Sequence, residues 1–289
     1  MVTKVKTGIV FEGGAFRTIF SCGVMDALVE NDIMPDYMIG VSAGAAYGVS
    51  MASKQPRRNL DVLMKYRNDK RYLGLSNMID KDNKSIYGLE FSYETIPNEL
   101  NLFDYDAFKQ YKGDFYCVVT NLLTGQPEYM KYTGDDRTNT VLKATCALPM
   151  LFPPIIINDV PYMDGGLSDS IPYLKAIEDG CDRIIVVLTR QSGYTKTTSR
   201  STKAIAYSYR NQYPKLTETM LTRVSRYNES LKGLDQYVKE GRIITIQPTT
   251  SKGFSRLEKD KNKILSMYND GYNQCYELLD TIKEFYGIK

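Results

Sequence analysis

The 289-residue chain contains no histidine. That absence excludes a serine or cysteine hydrolase built on an imidazole base, and any zinc or haem centre ligated by histidine. Proton transfer must rest on carboxylates, lysine, tyrosine or cysteine. Cysteine itself is sparse: Cys22, Cys117, Cys146, Cys181 and Cys275 are odd in number and include no CxxC pair. They read as reduced thiols packed as small hydrophobes. Long apolar runs are missing too, since none approaches the roughly 18–20 residues that span a bilayer. Residues 1–8 are too short and polar for a secretory leader, so a cytoplasmic location is expected, with peripheral membrane contact left open. The formal charge of +3, from 37 Lys+Arg against 34 Asp+Glu, is too small to call for a nucleic-acid partner. What is present, 43% apolar and 25% charged residues, is the balance of a globular protein of one large or two modest domains.

The first two thirds alternate short β-branched runs with helical patterns. Strands are predicted at residues 8–11, 37–41, 114–120, 127–132, 155–157 and 183–189. Helices are predicted at 18–31, 43–53 and 171–179, the first with Phe20, Val24, Ala27 and Leu28 on one face. Apolar strands alternating with helices imply an α/β fold, a parallel or mixed sheet covered by helices. Residues 72–111 carry no clear period but many apolar side chains, as either a cap over a site or an ordinary insertion. After Arg190 the pattern is mainly helical, with one strand expected at 242–247 and a long amphipathic end at 255–286. Residues 196–232 hold eight basic and two acidic side chains. Such a surplus serves either a solvated helix face or contact with anionic headgroups.

Three segments carry candidate chemistry. Gly40-Val41-Ser42-Ala43-Gly44 matches G-x-S-x-G between an apolar strand and a small-residue helix. There a sharp turn holds the serine in strain and aims helix amides at its oxygen. Without chemistry the same stretch is a tight strand-to-helix turn. The loop Glu12-Gly13-Gly14-Ala15-Phe16-Arg17 follows the first strand and lacks the spacing of either a dinucleotide fingerprint or a P-loop. Its amides are candidates for converging on an oxyanion, with Arg17 adding positive charge. The third segment, Asp164-Gly165-Gly166, is either a turn or a carboxylate brought close by glycines. Because no serine has a lysine three residues on, a carboxylate is the available base for Ser42. The stretch from Asp80 to Ser85 begins like a calcium loop but has lysine at the fifth position and no glycine at the sixth, so no metal is expected there.

The order glycine loop, Gly-x-Ser-x-Gly, Asp-Gly-Gly resembles the patatin-like phospholipase family. Ala144-Thr145-Cys146-Ala147-Leu148-Pro149, followed by Phe152-Pro153-Pro154, is similar to the family's segment ahead of the aspartate strand. The resemblance covers roughly residues 6–190. It implies a three-layer α/β/α fold and calcium-free hydrolysis of lipid acyl esters without a cofactor. It also implies Ser42 as nucleophile, Asp164 as proton acceptor, and an oxyanion hole of Gly13, Gly14 and Ala15 beside Arg17, with Gly40, Gly44, Gly165 and Gly166 as motif glycines. Two positions depart from the family pattern, where Ala15 and Thr18 replace glycines. Residues 191–289 resemble the helical C-terminal region of a bacterial subgroup. Two alternatives stay open on the same scaffold: an acyltransferase or protein-acyl hydrolase, and a non-catalytic lipid-binding protein. Oligomeric state is not legible.

Overall fold

The computed structural model describes residues 5–79 and 85–288. Asp80 to Lys84, the segment set aside as a calcium loop, lies outside the described residues, as do residues 1–4 of the leader argument. The chain enters through β1 (Thr7–Phe11), a short 3-10 turn (Ala15–Thr18) and α1 (Ile19–Glu30), then β2 (Tyr37–Val41), α2 (Ala43–Ala52) and α3 (Arg58–Tyr66). A π-type helix (Phe91–Leu100) and α4 (Tyr105–Gln110) follow. The π-type helix holds Pro97, whose missing N–H is one reason no 3.6-residue period shows in this part of the sequence. Next come β3 (Asp114–Asn121), β4 (Pro127–Lys131), α5 (Thr140–Cys146), β5 (Ile155–Ile157), β6 (Val160–Asp164), α6 (Tyr173–Glu178) and β7 (Arg183–Val187). The last third is α7 (Arg200–Ser208), α8 (Pro214–Lys239), β8 (Ile243–Ile246), α9 (Lys261–Glu277) and α10 (Leu279–Tyr286).

The strands form one mixed sheet in the order β5-β6-β3-β2-β1-β7-β8, with β4 paired to β3. From β3 through β8 all neighbours are parallel. The central strands β1 and β2 are buried along their whole length. Helices cover both faces, as continuous apolar runs require. The expected strands form close to their predicted bounds. The short β6, interrupted by Pro161 in sequence, was not among them. The helix expected at 171–179 is shorter, beginning after Pro172.

Two findings concern the last third. First, the strand expected at 242–247 forms as β8 and joins the sheet of the first two thirds, parallel to β7 with Ile184 opposite Ile243. Second, α1 is buried from Ile19 to Val29 instead of on one face, because α9 packs across its outer side. The crossing is closed by two glycines. A β-carbon on Gly23 would strike the Tyr268 carbonyl, and one on Gly271 would strike the Phe20 carbonyl. The long amphipathic end is therefore two helices, α9 and α10, meeting at Leu278, and its apolar face is used to cover α1. All five cysteines are free and buried. Gly271→Ala should lower stability by about 2 kcal/mol, because the backbone clash outweighs the gain of roughly 1 kcal/mol in helix propensity. Urea unfolding of the full chain measures this, and a variant as stable as the parent would contradict the close crossing.

Candidate active site

Ser42 and Asp164 meet because of how β3 shares its edges. Tyr116, Cys117 and Val118 each lie opposite residues of both β4 and β2, and Val119 and Thr120 opposite residues of both β4 and β6. A strand has only two edges, so β2 and β6 occupy the same one, end to end. Because β2 runs parallel to β3 and β6 antiparallel, their C-terminal ends converge. Val41 sits opposite Val118 and Asp164 opposite Val119. Ser42 is the residue after Val41, at φ 54 and ψ −129, the strained turn between β2 and α2. Its amide donates to Thr145 Oγ1 at 2.9 Å, and that hydroxyl donates to the Val118 carbonyl at 2.5 Å. Gly165 lets the chain turn over β3, since a β-carbon there would run into the Val118 carbonyl.

Asp164 is only 2% exposed. Burial raises its carboxyl above the ordinary carboxylate range. The Ser42 hydroxyl, the Arg223 guanidinium, the Gly166 amide and Arg256 oppose that shift by favouring the charged form. The Gly166 amide donates to Asp164 Oδ1 at 2.7 Å. The Asp164 carbonyl accepts from Thr120 Oγ1 at 2.8 Å, which fixes the backbone beneath it. Cys146 adjoins Ser42, but burial pushes its thiol up to about 12, so it stays protonated at neutral pH.

The glycine loop closes over the serine. A β-carbon on Gly13 would lie 2.8 Å from Ser42 Cβ and 2.7 Å from the Val41 carbonyl, so only glycine allows the approach. Among the described residues, the amides of Gly13 and Gly14 donate to no protein acceptor. Gly44 lets α2 start beneath the same loop, with its α-carbon facing the Phe11 and Glu12 carbonyls, and Gly40 packs on the Ala45 backbone. Arg17 is buried beside them. Burial, with Arg190 and Arg256 nearby, lowers it to about 10, and its Nε meets no partner among the described residues.

Two chambers open from Ser42. One, with about 980 Å³ of open space, is mostly apolar and lined by Tyr47, Tyr72, Tyr93, Ile96, Phe103 and Phe152. Several of these come from residues 72–111, so that segment does face the site. The other, about 610 Å³, contains Asp164, Gly13, Gly14 and Arg17 together with charged residues from the last third of the chain. Ser42, Ala15 and Leu148 line both.

This geometry coincides with a family match. The profile described as Patatin-like phospholipase matches residues 9–177, more than half of the chain. The chain belongs to the patatin-like phospholipase family. A second profile, a domain of unknown function (DUF6363), matches residues 213–287. The Escherichia coli (strain K12) protein YjjU, itself uncharacterized, is 27% identical over 196 residues, covering 64% of this chain and 52% of its own. Lysophospholipase nte1 of Aspergillus terreus is 29% identical over 193 residues, 63% of this chain but 12% of the fungal protein. The match thus spans about half of the bacterial relative and a small part of the fungal one. The crystal structure of VipD from Legionella pneumophila superposes with a TM-score of 0.46 at 15% identity, covering 96% of this chain and 67% of that one.

Of the ten site positions expected of a patatin-like chain, Gly13, Gly14, Ala15, Arg17, Ser42, Asp164 and Gly166 line the polar chamber, whereas Gly40, Gly44 and Gly165 line neither chamber and pack backbone against backbone behind it. No pattern in the sequence marks Thr145, which lies inside the stretch 144–149. None marks Glu12, Arg190, Lys196, Arg223 or Arg256 as site residues either. Only the basic surplus of residues 196–232 hinted at two of them. The departures from the patatin-like pattern have a physical cost. Ala15 sits at φ 50, where its methyl group is strained, and the buried Thr18 hydroxyl meets no partner among the described residues. Ala15→Gly should raise stability by roughly 1 kcal/mol by relieving the left-handed conformation. Thermal unfolding reads this out, and an unchanged or lower midpoint would mean that the turn carries no strain.

Proposed function

We propose that this patatin-like protein is a serine–aspartate dyad lipid acyl hydrolase, of phospholipase, lysophospholipase or carboxylesterase type, working through an acyl-enzyme. The observation that carries the reading is the convergence of a strained serine and a buried carboxylate on one strand edge, in a chain with no histidine. Asp164 accepts the Ser42 proton as the hydroxyl attacks the ester carbonyl. The free amides of Gly13 and Gly14, with that of Ala15 and the charge of Arg17, stabilise the tetrahedral oxyanion, each donor being worth about 3–4 kcal/mol. The alcohol leaves with the proton from Asp164. The same carboxylate then takes a proton from water as it attacks the acyl-enzyme, and collapse frees the acid and restores Ser42. Burial of Asp164 supports the role, because a raised pKa makes a carboxylate a better base at neutral pH.

In this reading residues 6–190 carry the dyad, residues 72–111 cap the chamber for the acyl chain, and residues 191–289 complete the polar chamber. Among the described residues no helix is long and apolar enough to cross a membrane. No metal or cofactor takes part in the steps.

Labelling with a fluorophosphonate ester probe should mark Ser42, and Ser42→Ala should abolish the signal. A label that survives the substitution sinks the nucleophile assignment. Asp164→Asn should fold normally and lower turnover 100-fold or more, on the order of 3 kcal/mol of barrier. Adding an alcohol acceptor should leave the free acid as main product; predominant transfer would move the reading to an acyltransferase. The pH profile gives an independent check. The base works only when ionised and its pKa is raised, so kcat/KM should fall as pH drops through a value above the ordinary carboxylate range of about 3.9. An acid limb at or below that value would point to another base.

A further inference from the structure

The polar chamber is more strongly charged than ester hydrolysis requires. Arg17, Arg190, Lys196, Arg223 and Arg256 all line it, against Glu12 and the dyad carboxylate. Glu12 is already engaged. It accepts from the Thr189 amide at 2.7 Å and Thr189 Oγ1 at 3.0 Å, and from the Tyr227 hydroxyl at 2.9 Å. None of the five cations forms an ion pair among the described residues. They crowd one another: burial first, then the charge of Arg223, lowers Lys196 to about 7. A cluster of mutually repelling cations around a cavity, one of them a buried arginine with a partnerless Nε, is built for an anion.

Most of these cations lie beyond the segment matched by the family profile, which ends at residue 177. They are held there by contacts to both halves of the dyad machinery. From α8, Arg223 Nε donates to the Gly166 carbonyl and Arg226 to that of Leu167, on the turn after Asp164. One turn on, Tyr227 reaches Glu12 at the start of the glycine loop. The Arg256 carbonyl accepts from the Phe16 amide at 3.1 Å, which ties the segment before α9 to the same loop. The Gln191 side chain accepts from the Ser251 amide at 2.7 Å, joining the loop after β7 to that segment.

We infer that the last third of the chain builds a phosphate subsite on the leaving-group side of Ser42, and that the preferred substrate is a lipid ester bearing a phosphate monoester, not a zwitterionic head. The reading rests on the proposed acyl hydrolase. The shape of the site supplies the first part: an apolar chamber and a cationic chamber share Ser42, so a single-chain amphiphile lies with its ester between them. The aromatic faces supply the second. A quaternary ammonium would be held on tyrosine rings. In this chamber the Arg190 guanidinium already lies 4.5 Å from the Tyr194 ring centre, and Lys196 Nζ lies 3.7 Å from that of Tyr227. Those faces are taken, and a choline group would meet only like charge.

The test compares lysophosphatidate, lysophosphatidylcholine and monoacylglycerol of one acyl length, in micelles of one neutral detergent, with the full chain. The phosphate monoester should be preferred at least tenfold in kcat/KM over both others, and raising NaCl to about 0.5 M should erode the preference. Arg190→Gln and Arg256→Gln should each cut the preference ratio at least fivefold, with Arg256→Lys restoring part of it and circular dichroism confirming the fold. Inorganic phosphate should compete with lysophosphatidate and raise the melting temperature of the parent more than that of Arg256→Gln. The melting measurement needs no turnover, so it tests the subsite even where the hydrolase reading fails. Hydrolysis of all three lipids at equal rates, with no phosphate effect, overturns the inference while leaving the hydrolase intact. Phosphate binding without preference among the lipids overturns the substrate assignment and makes the chamber a site for the free ion.

Discussion

The structure depends on the edge of β3. One strand long enough to pair with β2 and then with β6 brings two C-terminal ends face to face, and the residues at those ends are Ser42 and Asp164. The backbone ladder thereby performs the task that a third side chain performs in a triad: it fixes the distance and orientation of the proposed nucleophile and base. Thr145 reinforces the junction by accepting from the Ser42 amide and donating to Val118, so the serine is tied to the strand on which the aspartate is registered. A dyad without a histidine is feasible because hydrogen bonds of the sheet, not a relay of side chains, hold its two members.

The same arrangement explains why the site is both strained and stable. Ser42 and Ala15 occupy left-handed conformations, each costing of order 1–3 kcal/mol. They persist because β1 and β2 are buried along their full length and because glycines let the loop, the helix start and the strand end pack backbone to backbone. The burial that pays for this also raises the Asp164 carboxyl. Structural rigidity and the basicity of the carboxylate come from one cause.

The last third of the chain is integrated with this centre instead of being appended to it. It adds β8 to the sheet, lays α9 over α1 through the Gly23–Gly271 crossing, and sends α8 across the turn after Asp164. A helix that grips that turn with Arg223 and reaches the glycine loop with Tyr227 couples the two walls of the polar chamber. The basic surplus read from sequence as a solvated face or a headgroup contact is divided: Lys196 and Arg223 turn into the chamber, whereas Lys203 and Lys232 do not line it.

The sequence alone determined the α/β class, the strands of the sheet other than β6, and the absence of any imidazole chemistry, because periodicity and composition are local properties. It also singled out Ser42, Asp164 and the glycine loop, since tight turns demand glycine wherever backbone must approach backbone. It could not show that α1 would be covered on every side, nor which residues of the aperiodic 72–111 stretch face a cavity, because Pro97 removes the regular turn from which a face could be read. Only the tertiary structure decided that β2 and β6 share one edge, that Thr145 binds the junction, and that cations from distant loops and helices converge around a single cavity. Each of these is a relation between segments far apart in the chain, fixed by strand register and helix crossing, and no spacing in the sequence encodes it.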